Sequence, residues 1–539
     1  MPGARKPLLI GVIAAVVVVA LAAAVLFFFQ QPQQPAPIPG PSEETAAPVR
    51  PQEIPVRPQE IEVLRISQRA DLSTIDVQVA TDSPTLNVFG HVYETLFKLR
   101  FTPDGTPVFE PHLVESYNFV NETAIKFKLR SGIRFHDGKP LTAEDVVATF
   151  RRGPVVGSIP RTLLGPVKSV EAIDDLTFVI VLKYPFAPII AHLAHPSTAI
   201  IPAWVAELFP DKPINSTAYI IGTGPFRFVE FRKLERTVLE RFEDYWGPQP
   251  TVKRLEWVPV EDDDTRAAKL EAGDVNIITH VPPHLARLLR DRGFKVVQMP
   301  STRIIYIGIS VDRITDPRVR QALNLAVDKN AIVSRILEGA GTVATAPIPP
   351  AVFGYSPQTP YGYDPDRARK LLEEAGWAGR ELIMIAPSGR YLKDREIAEA
   401  IQMYLQAIGL NVRLTTMEWA AYIAKVMGEV RDFDLFLLGW STATLDADYG
   451  LYSLFHSKAP FNRMRYSNLK VDELLEAARA EADVEKRKQL YRQAQELIWQ
   501  DAPWIFLHVE DLIVAMDPNL ENVEVQPIER WILTYATRR

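Results

Sequence analysis

Residues 381–440 constrain the fold more than any other part of the chain. ELIMIA (381–386) has the apolar character of a strand, and PSGRYLKD (387–394) that of a loop. REIAEAIQMYLQAIG (395–409) places Ile397, Ile401, Leu405 and Ile408 on one helical face. NVRLTTME (411–418) is a strand, WAAYIAKVMGEV (419–430) a helix, and DFDLFLLGW (432–440) a further strand. Strands alternating with helices through short connections predict βαβ units, a mainly parallel sheet and an α/β fold. In open α/β sheets ligands bind beyond the carboxyl ends of the strands. PSGRYLKD and GWSTATLDADYG (439–450) both follow such ends, so both are candidate ligand loops.

The preceding sequence is also mixed α/β. EVLRISQ (62–68), TAIKFKLR (123–130), TFVIVLK (177–183) and FRFVEF (226–231) read as strands. LTAEDVVATFRR (141–152) reads as a helix with Thr142 as N-cap and acids in its first turn. Residues 315–341 read as one or two helices, with Asp316 capping, Pro317 at the first helical position and Gly339 as the stop. Asp364, Pro365 and Gly376 repeat that grammar.

The N-terminus is different in kind. Arg5 and Lys6 precede an uninterrupted apolar run over 7–29. At about 1.5 Å per residue such a run spans a hydrocarbon core of about 30 Å. Ala22-Ala23-Ala24 offers a signal-peptide cleavage site, but Phe27-Phe28-Phe29 follows it, and the length suits an uncleaved signal anchor. The basic flank then stays cytoplasmic, and the body lies outside the cell membrane. Residues 30–61, with the repeat VRPQEI, are proline-rich and lack aromatics, as befits an extended linker. A net charge of −6 gives no argument for a nucleic-acid partner. The absence of cysteine excludes disulfides, thiolate metal sites, a cysteine nucleophile and a cysteine-linked lipid anchor.

Catalytic and metal motifs are scarce. The chain has no Walker A sequence, GxSxG elbow or HExxH. His192 and His195, and His280 and His284, have metal-compatible spacings without a third ligand cluster. DADYG superficially suggests a calcium loop, but Gly450, Leu451 and Ser457 occupy positions where an EF-hand needs an oxygen ligand, a glycine and a glutamate. No metal or cofactor is expected. Asp446 and Asp448 are two apart in an extended segment, which points them to opposite sides and disfavours a catalytic pair. They remain candidates for ligand contact, or for capping the helix around 449–457. Tyr391, Trp419, Tyr422, Trp440 and Tyr449 flank the predicted strand ends, where aromatic rings can wall a polar ligand's pocket.

Several stretches together resemble the extracellular solute-binding proteins of family 5, the peptide/nickel type that serves ABC importers. They are LRSGIRFHDGKPLTAEDVVATFRR (129–152), GTGPFRFVEF (222–231) with FEDYWG (242–247), TRAAKLEAGDVNII (265–278), DPRVRQALNLAVDKNAI (316–332) and the 390–440 region. The C-terminal segment through WIFLH resembles the subgroup of dipeptide- and glutathione-binding proteins. The resemblance implies a two-lobed periplasmic-binding-protein type II fold with an extra subdomain in lobe I, here preceded by a single transmembrane helix. It places lobe I at 62–303 and 510–539 and lobe II at 304–509, with RIIYIGIS (303–310) and IFLHVEDLIVA (505–515) as crossing strands.

The resemblance further implies that Arg390 holds a ligand carboxylate, that Tyr391 lies beside it, and that Trp440 and Trp419 wall the pocket. Dipeptide-type members place an aspartate three residues after the tryptophan to grip the ligand amine; this chain has Ala443. Asp446 and Asp448 are then the nearest acids to replace it. The expected function is capture of a peptide or peptide-like solute without chemistry. Delivery is to ABC permease subunits with cytoplasmic ATPases, by a monomer tethered through its N-terminal helix. An oligosaccharide or a nickel chelate is the alternative within this class. A membrane-anchored hydrolase using Asp446 or Asp448 is the alternative outside it.

Overall fold

Eleven strands form one continuous sheet at the centre of the protein. In chain order they are β1 (Ile61–Gln68), β2 (Phe226–Arg232), β3 (Arg236–Arg241), β4 (Val252–Pro259), β5 (Ile277–Thr279) and β6 (Lys295–Ile309). They continue with β7 (Gly341–Val343), β8 (Glu381–Ser388), β9 (Asn411–Glu418), β10 (Leu435–Ser441) and β11 (Trp504–Met516). The computed structural model describes residues 59–102 and 105–539. The apolar run 7–29 and nearly all of the proline-rich segment lie outside the described residues. Among the described residues no helix is long and apolar enough to cross a membrane. Residues 59–61, expected in the linker, already belong to the folded body: Gln59 bridges to Arg538, and Ile61 opens β1.

The strand order is β9-β8-β10-β6-β11-β5-β1-β4-β3-β2, with β7 on β11. The predicted βαβ units are present: β8 runs parallel to both β9 and β10, and helices Asp394–Ala407 and Trp419–Met427 connect the three. β1 is likewise parallel to β4 and β5. The sheet as a whole is mixed rather than mainly parallel. β6 and β11 enter between these groups, antiparallel to each other and to β10 and β5 on either side. They pair from Lys295 with Met516 to Gly308 with Trp504, and their register shifts between Pro300 and Ile304 and again between Ile305 and Tyr306. Ahead of the first shift β11 carries β5, and from Arg303 onward β6 carries β10. The irregularity therefore lies where the two parts of the sheet join, and a bulge there adds local twist.

Both faces are packed. Ile305, Ile307, Leu435 and Leu437 enter one core with Ile397, Ile401 and Leu405 of the predicted helical face. Ile304, Tyr306, Phe436, Trp504 and Phe506 enter another, where the Tyr306 and Trp504 rings stack 3.5 Å apart. A separate four-stranded antiparallel sheet spans Val114 to Leu182. Helix Ala143–Val156 follows its second strand, and Thr142 and Asp145 form a reciprocal capping box. Residues 315–341 form helix Pro317–Ala326 and then a short helical segment that widens into a π-turn over Ile332–Ile336.

Candidate ligand-binding site

The loop after β8 is folded around one buried carboxylate. Asp394 accepts from the backbone N–H groups of Gly389 (3.2 Å), Arg390 (2.8 Å) and Tyr391 (3.0 Å). This turn needs a positive φ at Gly389, which has 79°. Glu510 of β11 accepts from the N–H of Leu392 at 2.8 Å, and Arg69 donates to the carbonyl of Tyr391 at 2.6 Å. The backbone is thus fixed from three directions, and the Arg390 side chain is turned inward, 3% exposed. Its guanidinium carbon lies 4.8 Å from the Tyr391 ring centre and 5.3 Å from that of Trp419, within cation–π range. Its Nε is buried without a hydrogen-bond partner.

Arg390, Tyr391, Trp419 and Trp440 come together on one cavity of about 840 Å³, part of it open to solvent. β10 delivers Trp440, which packs 5.0 Å from both Tyr449 and Phe461 and leaves its indole N–H without a protein acceptor. Gly439 beside it has a steric reason. A Cβ there would come within 2.7 Å of Ile305 and 2.8 Å of the Tyr391 ring. Ala443 also lines the cavity, in the place where an acid was sought. Leu86, Ile159, Ile423, Met427 and Leu438 supply an apolar wall. An apolar cavity with a few convergent polar groups is the usual form of a small-molecule site.

Asp446 and Asp448 do not line this cavity, contrary to the expectation of ligand contact. Asp446 accepts two hydrogen bonds from the Arg487 guanidinium, at 2.7 and 2.8 Å, and one from the N–H of Asp448 at 2.9 Å. Asp448 is paired with Arg479 at 3.0 Å, and the Nε2 of His192 lies 3.4 Å away. Both carboxylates are buried, and their partners come from helices Leu469–Ala480 and Val484–Asp501. Burial opposes the charge of Arg487, but Asp446 outweighs it and raises the pKa. The two acids organise the turn that begins at Asp448, which is closer to the capping alternative than to ligand recognition.

The cavity also contains groups that the sequence did not single out for ligand contact. Arg303 of β6 makes a bidentate ion pair with Glu529, with Nη2 to Oε2 at 2.7 Å, and donates to Ser83 at 3.0 Å. Burial would raise the Glu529 pKa, but Arg303 overrides it and holds the carboxyl down to about 2. Asp82 caps the short helix Ser83–Phe89. The Nδ1 of His195 accepts from the N–H of Ser197 at 3.2 Å, so the neutral ring carries its proton on Nε2. Burial lowers its pKa well below the usual histidine value, which keeps the ring neutral. Arg530, half-buried, completes the wall. An arginine opening an apolar strand, as in RIIYIGI, was the one available signal for Arg303.

Comparison with known proteins agrees with this architecture. The family described as bacterial extracellular solute-binding proteins, family 5 middle, matches residues 108–462. The glutathione-binding protein GsiB of Escherichia coli (strain K12) is 33% identical over 473 residues, which cover 85% of this chain and 91% of that one. The periplasmic binding protein DppA of Helicobacter pylori, solved with the peptide STSA, superposes with a TM-score of 0.79 at 26% identity, covering 89% of this chain and 98% of the other. The oligopeptide-binding protein AppA of Bacillus subtilis, solved with a nonapeptide, gives 0.78 at 27% identity, covering 88% and 99%.

Proposed function

We propose that this chain, which belongs to the bacterial extracellular solute-binding proteins of family 5, captures a peptide or peptide-like solute and delivers it to the permease of an ABC importer. One observation carries the reading. The buried guanidinium of Arg390 faces an aromatic-walled cavity with no carboxylate in ion-pair range among the described residues. A buried cation without a partner is costly. A ligand carboxylate supplies the missing charge and accepts the guanidinium's donors in a fork of charge-assisted hydrogen bonds. Tyr391, Trp419 and Trp440 then hold the apolar part of the solute. Asp446 and Asp448 maintain the loop rather than touch ligand. The similarity to a glutathione-binding protein makes a glutathione-like tripeptide one member of the class.

In this reading residues 62–303 and 510–539 form one lobe and 304–509 the other. β6 and β11 connect them, and solute that touches both lobes favours the closed state. No bond is made or broken. The apolar run 7–29 serves as a membrane anchor, and the proline-rich segment as a stalk that raises the local concentration of the receptor at its permease.

The test is to purify the protein, denature it and identify any released solute by mass spectrometry, with tryptic cleavage products excluded. Release of a peptide or γ-glutamyl peptide supports the proposal. Release of an oligosaccharide or a nickel chelate, with no peptide binding by calorimetry, overturns it.

A further inference from the structure

We propose that the solute carries two anionic groups, and that Arg530 receives the second while Arg390 holds the first. This rests on the peptide-like reading above and narrows its ligand class. Three arginines line the cavity, Arg303, Arg390 and Arg530. Arg303 is neutralised by Glu529 in a bidentate pair. Neither Arg390 nor Arg530 has a carboxylate within ion-pair distance among the described residues. Burial lowers the Arg530 pKa only to about 10, so the side chain is cationic at neutral pH.

The carboxylates on the walls are all engaged. Glu529 is bound by Arg303. Asp82 accepts from the N–H and hydroxyl of Thr85, at 3.0 and 2.9 Å, and from the Ser73 hydroxyl. An adjoining cavity, also open to solvent, shares Leu86 and Arg530 with the first, so Arg530 borders both. Its only acid, Glu94, accepts from Tyr245, Trp246 and Thr223, each at 2.8 Å, and contacts His112 at 2.9 Å. With Ala443 where an amine anchor was sought, the walls of the first cavity offer two cations without an ion pair and no unengaged anion among the described residues, and the exposed Lys98 adds a further cation on the second. Such a surface selects for a second anionic group on the solute and is indifferent to an amine. Specificity of this kind follows from the cost of leaving a buried charge unmatched.

Three tripeptides isolate the groups. Glutathione has two carboxylates and an amine. Glutaryl-Cys-Gly lacks only the amine. 4-Aminobutyryl-Cys-Gly lacks only the γ-glutamyl α-carboxylate. Their dissociation constants are measured by calorimetry on the full chain; reductant is harmless because the protein has no cysteine. Glutaryl-Cys-Gly is expected to bind within about threefold of glutathione, and 4-aminobutyryl-Cys-Gly at least about tenfold more weakly. Arg530→Gln should erase that tenfold discrimination by weakening glutathione and glutaryl-Cys-Gly but not 4-aminobutyryl-Cys-Gly, with a melting temperature no lower than the parent's. Binding of glutathione and 4-aminobutyryl-Cys-Gly with equal affinity overturns the two-anion inference and leaves the peptide reading standing. So does discrimination that survives Arg530→Gln. Failure of all three to bind overturns the inference, while the peptide reading stands or falls with the solute released on denaturation.

Discussion

The Nη2 of Arg303 donates to Oε2 of Glu529 at 2.7 Å, across 226 residues of sequence, and the pair closes one wall of the aromatic-lined cavity. Replacing Glu529 by Gln leaves a buried guanidinium with a neutral partner and is expected to destabilise the protein by about 3 kcal/mol at neutral pH. The effect has a defined pH window. The folded carboxyl titrates near 2, below its ordinary value, so its contribution is complete above about pH 4.3 and is lost as pH falls toward 2. Urea unfolding of parent and Glu529→Gln at pH 7 and pH 3 should show the gap narrowing in acid. A constant gap would remove the ion pair as its cause.

Glu510 carries the opposite sign. Burial, and then the nearby Glu529, raise its pKa to about 7, above the unfolded value. The unfolded chain therefore releases its proton first, and stability declines as pH rises from about 4.3 toward 7. Glu510→Gln keeps an oxygen for the N–H of Leu392 and removes the titration. The variant should lose less stability than the parent between pH 5 and about pH 7.5, as read by thermal melts; parallel curves would contradict the assignment.

Arg390→Ala should weaken peptide binding at least about tenfold, the loss of a charge-assisted contact. Because Arg390 makes no ion pair in the described residues, the melting temperature should change little. An unchanged dissociation constant would take Arg390 out of the site.

Asp448→Ala should behave in the reverse way. It strands Arg479 inside the protein and is expected to cost about 3–5 kcal/mol. Protein that remains folded should bind solute within about threefold of the parent. A large affinity loss at unchanged stability would restore Asp448 as a ligand group.

What was legible in the sequence was local. NVRLTTME became β9 from end to end, and Thr142 took the N-cap position expected of it, with acids in the first turn. Hydrophobic period and caps act over a few residues and leave their mark there. The mixed character of the sheet was not legible, because it depends on β6 pairing with β11, some two hundred residues away. Asp446 and Asp448 misled for the same reason. Their acids lie at a strand end where ligands bind, but Arg487 and Arg479 reach them from helices 41 and 31 residues downstream. Arg390 was found through a motif in a short loop. Glu529 and Arg530 had no such motif; they enter the cavity only because the chain returns after β11.

That return has a consequence for how the protein acquires its activity. The cavity draws Asp82, Arg390, Trp440 and Arg530 from distant parts of one chain, so no excised fragment contains it. Chains that have folded only one end are blind to solute. Titrated binding capacity therefore counts the molecules that have finished folding, and a solute added during refolding can favour only the completed state.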